Sequence, residues 1–229
     1  MKTRNLPVTR SVVRWSASII LVMLLFSAWA WMRLPEGAQM PVHWNAAGEI
    51  DRYGSKFEGL LLLPVISSLI AVTLAFIPLF EPRQGNLLRS AKPYVITCAA
   101  TLLFMLCLHA AMILTALGKP VSVPRAIFAA TGVLFIVIGN FFGKVRSNYF
   151  FGIRTPWTLS SELSWNKTHR LGGRLFMLFG LVVLLTGLLA SEQAGLTVLL
   201  GGLVLVTIVV SVYSYQVWKS DPDKRPKDG

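Results

Sequence analysis

Between Gly139 and Arg174 the chain concentrates side chains suited to holding an anion. Lys144, Arg146, Arg154, Lys167, Arg170 and Arg174 stand among Phe141, Phe142, Tyr149, Phe150, Phe151, Trp157 and Trp165. A guanidinium offers a planar fork to phosphate or carboxylate, and aromatic rings suit the level of lipid headgroups. A connector between two helices needs only a few turn residues, so a segment this long and dense is expected to carry function. It is read either as a lipid-anchored amphipathic segment or as a docking site for a protein or ligand. A second group, PVHWNAAGEIDRYGSK from Pro41 to Lys56, sets the titratable ring of His43 beside the indole of Trp44 and the amide of Asn45. Pro41 gives an extended entry, Gly48 and Gly54 permit tight turns, and Glu49, Asp51 and Glu58 can pair with Arg52 and Lys56 at the surface. This segment either folds on itself against helix ends or forms a recognition surface.

Hydrolytic chemistry finds no comparable assembly. His43, His109 and His169 fall on one loop, in an apolar stretch and on another loop, so they cannot share a metal. Neither a GxSxG elbow nor an HExxH helix is present. No catalytic residue, metal or cofactor is expected, and the chain is read as a non-enzyme. Its net charge of +12 comes without a basic helix or RNA-type aromatic platform outside the apolar stretches, so nucleic acid is not expected as a direct partner.

The elements that must position these groups are membrane spans. The 229 residues are 54% hydrophobic and only 14% charged, with a mean hydropathy of +0.62, too apolar for an ordinary soluble domain. Six stretches approach or exceed the ~20 residues that cross a bilayer as a helix: Trp15–Met32, Leu60–Phe80, Tyr94–Leu117, Ala126–Phe142, Leu175–Ala190 and Gly195–Trp218. The fifth is short, and Leu171 to Gly173 can lengthen it while Arg174 snorkels to the headgroups. The first could be a cleaved signal peptide ending at Ala28-Trp29-Ala30, but bulky Trp31 and the apolar run to Met32 favour a retained span.

Of the 22 Lys and Arg residues, 17 fall on one side of this six-span arrangement. Basic loops stay in the cytoplasm, which places both termini and the 139–174 loop there and the 33–59 loop outside. The fold expected is an all-α membrane protein, a six-transmembrane-helix bundle forming one domain over 1–229, with a polar tail at 219–229. The lipid bilayer is its first partner. Thr155-Pro156 breaks any preceding helix and Thr158 or Ser160 can cap a new one, so a short interfacial helix is expected from Ser160 to Leu171, before the fifth span. Gly173, Gly180 and Gly187 recur every seven residues, a smooth stripe against which another helix can pack closely. Cys98 and Cys107 sit on opposite faces of one predicted helix and cannot pair. His109 is the sole clearly intramembrane ionisable group, which keeps a small-molecule or ion transporter as an alternative, although a histidine hydrogen-bonded inside the bundle is the simpler reading. The sequence does not fix the oligomeric state.

The two loops together carry a family resemblance. The stretch GN…KVRSNYFFGIRTPWTLSSELSWNKTHRLGG, with the PVHWN segment before it, resembles the SdpI family of bacterial toxin-immunity membrane proteins, over roughly Pro41 to Leu189. The resemblance implies a six-span protein of the bacterial inner membrane. Such a protein protects the cell from a secreted membrane-active peptide toxin, and in the family's best-known system it also signals by holding a cytoplasmic repressor at the membrane. A general role in envelope homeostasis is the further alternative. By matching position, the family motif marks Asn140, Arg146, Asn148, Gly152, Arg154, Thr155, Pro156, Trp157, Glu162, Trp165, Thr168 and His169 as a cytoplasmic site. It marks Pro41, His43, Trp44, Gly48, Asp51 and Lys56, beside Asn45, as a toxin- or ligand-recognition site outside.

Overall fold

Apolar runs this long leave backbone N–H and C=O groups no partner in hydrocarbon other than each other, so they form helices. The computed structural model describes residues 6–224. Lys2, Arg4, Arg225 and Lys227, counted above for orientation, and the last five residues of the polar tail lie outside the described residues.

The elements are α1 (Leu6–Arg33), β1 (Gln39–Trp44), β2 (Ile50–Ser55), α2 (Lys56–Phe80), α3 (Gln84–Arg89), α4 (Ala91–Ala116), α5 (Val123–Phe142), α6 (Pro156–Ser160), α7 (Glu162–Leu189) and α8 (Glu192–Lys219). Six of them, α1, α2, α4, α5, α7 and α8, are long and apolar enough to cross a membrane. The chain is thus mostly helical, with one departure from the all-α expectation.

That departure is the segment after α1. It is an antiparallel hairpin in which Met40 faces Gly54 and His43 faces Arg52, with irregular register between Pro41 and Trp44. Asn45 builds the turn: its side-chain oxygen accepts the Ala47 and Glu49 N–H groups at 2.9 and 3.0 Å, and Gly48 takes φ +83°. Gly54 is a strand residue rather than a turn residue. A β-carbon there would lie 2.4 Å from the Glu58 carboxylate. The hairpin stands because one face is buried: Met40 packs with Ala30, Leu34, Leu60 and Ile113.

The six spans form two units of three. In the first, α1, α2 and α4 pack around Ile19, Met23, Ala71 and Leu102, and Ser27 ties them together. Its hydroxyl lies 2.7 Å from the Leu60 carbonyl oxygen of α2 and 2.8 Å from His109 Nε2 of α4. His109 thus shares a hydrogen bond inside the bundle through Nε2, while its buried Nδ1 has no partner among the described residues. In the second unit, α5, α7 and α8 pack around Phe128, Phe179, Val183, Val206 and Val210. The glycine stripe of α7 meets Gly132 and Gly139 of α5 backbone to backbone. A β-carbon on Gly180 would lie 2.6 Å from the Gly132 carbonyl oxygen, and one on Gly173 2.6 Å from that of Gly139.

The fifth span is not short. Ser161, in extended conformation, accepts the Ser164 N–H and starts a helix of 28 residues that runs unbroken to Leu189. Ser160–Leu171 is therefore not a separate interfacial helix, apart from Ser160 at its edge; it supplies the first turns of α7. The short helix is the single turn α6, closed by a reciprocal cap between Thr155 and Thr158 with Pro156 opening it.

Candidate functional site

The segment between α5 and α7 is a knot of buried polar groups. Asn148 is fully buried, and its side chain makes four hydrogen bonds. Its nitrogen donates to the Arg146 and Phe151 carbonyls at 2.9 Å each, and its oxygen accepts the N–H groups of Phe150 and Phe151 at 3.0 and 2.7 Å. Every one of the amide's two donors and two principal acceptor directions is thus used to shape a single turn.

His169 closes the next turn. Its Nδ1 lies 2.8 Å from the Trp165 carbonyl oxygen, which cannot donate, so Nδ1 carries the proton. Nε2 is then free to accept the Ile153 N–H at 2.9 Å. The two bonds define one neutral tautomer, pinned further by Trp165 stacking at 4.1 Å between ring centroids. Gly152 explains its own presence here. It has φ +113°, and a β-carbon would sit 2.4 Å from His169 Nε2. Trp165 is buried and donates its indole N–H to the Val145 carbonyl at 2.8 Å.

Thr155 and Thr158 hold α6 down. Thr158 Oγ1 lies 2.8 Å from the Ile153 carbonyl oxygen, and Thr155 Oγ1 lies 3.0 Å from Ser214 Oγ on α8. Ser161 reaches Asp221 just beyond α8.

Sequence reasoning passed over the other wall. Glu81, at the end of α2, is buried, and its two oxygens accept the N–H groups of Arg83 at 2.8 Å and Tyr149 at 3.0 Å. Arg83 donates to Ser147 and, at 3.1 Å, to the Leu159 carbonyl, and stacks 4.6 Å over Tyr149. Asn86 donates to the Ser147 carbonyl at 2.9 Å, and Ser90 accepts the Arg146 N–H at 2.8 Å. The first three-helix unit thus clasps the loop of the second. The signal available in the sequence was the Glu81-Pro82-Arg83 cluster abutting an apolar span, together with the polar groups at Asn86, Arg89 and Ser90.

The predicted site residues therefore separate into two sets. Asn148, Gly152, Thr155, Trp165 and His169 are brought together and turned inward, with Pro156 opening the turn that joins them. Thr168 is buried beside them, its hydroxyl without a hydrogen-bond partner among the described residues. Asn140, Arg146, Arg154 and Glu162 are exposed, and so are Lys144, Lys167 and Arg170. Arg154 donates to the Tyr149 carbonyl at 2.9 Å and Trp157 sits edge-on to Tyr215 at 5.3 Å. These are the groups a partner at this face would meet.

At the hairpin end the division repeats. Pro41 is buried under the hairpin, Asn45 and Gly48 make its turn, and Lys56 donates to the Leu34 carbonyl at 2.8 Å while lying 4.8 Å over Trp31. His43 and Asp51 are exposed, with His43 Nδ1 2.6 Å from Asp51 Oδ1, and Trp44 is half-buried beside them. The segment both folds on the helix ends and leaves a face open.

Six apolar spans and two closed ends define a multi-pass membrane protein set in a lipid bilayer. Residues 144–214 match the SdpI/YfhL protein family, and residues 18–67 match a domain of unknown function, DUF1648. The latter covers the end of α1, the hairpin and the start of α2. The chain is 25% identical over 205 residues to the immunity protein SdpI of Bacillus subtilis (strain 168), covering 88% of this chain and 94% of that protein. No solved structure matches.

Proposed function

We propose that this protein is an SdpI-type immunity protein of the bacterial inner membrane that gives resistance to a secreted membrane-active peptide. The observation that supports this reading most is the 25% identity extending over 88% of the chain, which spans both loops and the helices between them. In this reading the hairpin faces outside, where such a peptide arrives, and His43, Trp44 and Asp51 form the recognising face. The signature end faces the cytoplasm, and Arg146, Arg154 and Trp157 offer a cytoplasmic repressor a cationic and aromatic surface. Reaction chemistry has no part in it.

The orientation is testable first. In a background with Cys98 and Cys107 replaced by alanine, Ala47→Cys should react with a membrane-impermeant maleimide in intact cells, and Glu162→Cys only after permeabilisation. Both positions are exposed. The reverse pattern removes the orientation and the outside role of the hairpin with it.

The protective role is tested by expressing the chain in cells sensitive to pore-forming or depolarising peptides. Survival should rise with wild type. His43→Ala and Trp44→Ala should reduce it while leaving the protein level near normal, since neither side chain belongs to the buried face of the hairpin. Arg154→Lys and Trp157→Phe should retain membrane insertion yet lose the activity that needs the planar fork and indole. If both conservative variants keep full activity, the signature face is an anchor only. If wild type protects against no peptide in the panel, the transport or envelope-homeostasis reading takes its place.

A further inference from the structure

The seam between the two three-helix units is not closed along its whole length. Between α4 and α5 lies an apolar groove of about 410 Å³, walled by Ala100, Leu103 and Cys107 on one side and by Ala126, Ala130 and Val137 on the other. Both helices are membrane spans, so what fills the groove comes from the hydrocarbon. From Ala126 to Val137 the helix rises roughly 16 Å. Measured to its walls the groove holds about 830 Å³, which over that length leaves a cross-section of roughly 50 Å², whereas a helix 10–12 Å across needs roughly 80–110 Å². The groove is wide enough for one extended hydrocarbon chain and too narrow for a helix.

Charge marks its mouth. The groove begins at Ala126, and the residue before it, Arg125, is exposed in the first turn of α5; Lys119, in the connector from α4, is exposed too. Among the described residues neither takes part in an ion pair. Glu192, the acidic group at the start of α8, accepts the Ser122 hydroxyl at 2.7 Å and forms no ion pair with either cation among the described residues. Two cations of long reach thus stand at headgroup level, directly over an apolar slot.

We propose that the α4–α5 groove is a lipid site. It seats one acyl chain of an anionic phospholipid from the leaflet at the hairpin end, with the headgroup phosphate held by Lys119 and Arg125. The small side chains of Ala100, Ala126 and Ala130 are what keep the slot open. A lipid there fills the seam between the two units along the stretch where α4 and α5 leave it open. The inference requires only that the chain spans a bilayer, and holds whether or not it confers immunity.

Native mass spectrometry of the full chain in mild detergent, titrated with phosphatidylglycerol or phosphatidylcholine, tests it. One phosphatidylglycerol should persist on the wild type at collision energies that strip phosphatidylcholine. The double variant Lys119→Gln, Arg125→Gln should lower retained phosphatidylglycerol roughly fivefold, equivalent to about 1 kcal/mol, and erase the preference over phosphatidylcholine. Ala130→Phe fills the slot and should lower retention of both lipids. Circular dichroism and a monodisperse elution profile confirm that each variant is folded. Should Ala130→Phe fail to insert, Cys107→Phe fills the slot from the facing wall at a side chain already exposed to lipid. Unchanged retention in the charge and filling variants overturns the site. A benzophenone amino acid at Ala130 that crosslinks an added apolar peptide rather than lipid also overturns it, and assigns the groove to a helix.

Discussion

Gly180→Leu is expected to prevent the α5–α7 pair from forming, with loss of folded protein from the membrane. At this crossing the β-carbon alone would come within 2.6 Å of the Gly132 carbonyl oxygen and 2.8 Å of the Ile136 nitrogen. Both obstacles are backbone, so neither can rotate aside, and relief requires the two helix axes to separate. Separation breaks the neighbouring Gly139–Gly173 contact, also at 2.6 Å for an added β-carbon, and pulls apart the ends of the loop that the two helices support. The cost should exceed the roughly 1–3 kcal/mol of ordinary overpacking. Gly201→Leu on α8, where an added β-carbon meets nothing within 4 Å, is the control and should be neutral. The readout is thermal unfolding in detergent and protein level in membranes. A Gly180→Leu protein with wild-type stability would mean that these helices are not in close contact.

Asn148→Asp should destabilise the signature loop nearly as much as Asn148→Ala. The aspartate has the size of asparagine and keeps an acceptor for the Phe150 and Phe151 N–H groups. It replaces the nitrogen that now donates at 2.9 Å to two carbonyls, those of Arg146 and Phe151, with an oxygen that those carbonyls repel. With alanine, four bonds vanish and buried backbone groups lose their partners, for a loss of roughly 3–5 kcal/mol at about 1 kcal/mol or more each. Hydrogen exchange at Phe150, Phe151 and Ile153 should speed up in both variants, and limited proteolysis should cut the loop between Lys144 and Arg154. Protection against a peptide should fall in parallel, since the exposed Arg154 is aimed by its bond to the Tyr149 carbonyl in the same turn. An aspartate variant with wild-type exchange would show that Asn148 does not organise the turn through its amide.

Both predictions concern positions turned into the protein, Gly180 against α5 and Asn148 within its own turn. The distinction matters for reading any substitution in the loop. A change at Asn148, Gly152 or His169 that abolishes function reports the collapse of a scaffold. The same result at Arg146, Arg154 or Trp157 reports the face that the scaffold presents.

The sequence by itself determined that the chain is a six-span membrane protein and which two segments carry its distinguishing residues. Apolar length is a local property, as is the clustering of basic and aromatic residues, and the backbone's need for internal partners in hydrocarbon converts the first directly into helices. The α7 stripe at Gly173, Gly180 and Gly187 could likewise be read as a contact, because helical periodicity alone puts the three on one face. Their partners could not be read, since Gly132 and Gly139 lie some forty residues away on a helix whose neighbour is fixed only by packing. The same limit explains where α6 ends and why the hairpin forms. Ser161 restarts α7 because its hydroxyl finds both the Ser164 N–H and Asp221, a residue sixty positions away that the end of α8 brings to the same spot. The hairpin forms because Met40 has a pocket under it built by three other helices. Tertiary structure alone decided the site's inner half. His169 and Asn148 carry polar atoms that are equally able to bind a ligand or the chain's own backbone. Asn148 bonds only within its own turn, but His169 needs Ile153 to return to it across the loop, and Glu81 must arrive from α2 to hold Tyr149, contacts of long-range packing that no local pattern encodes.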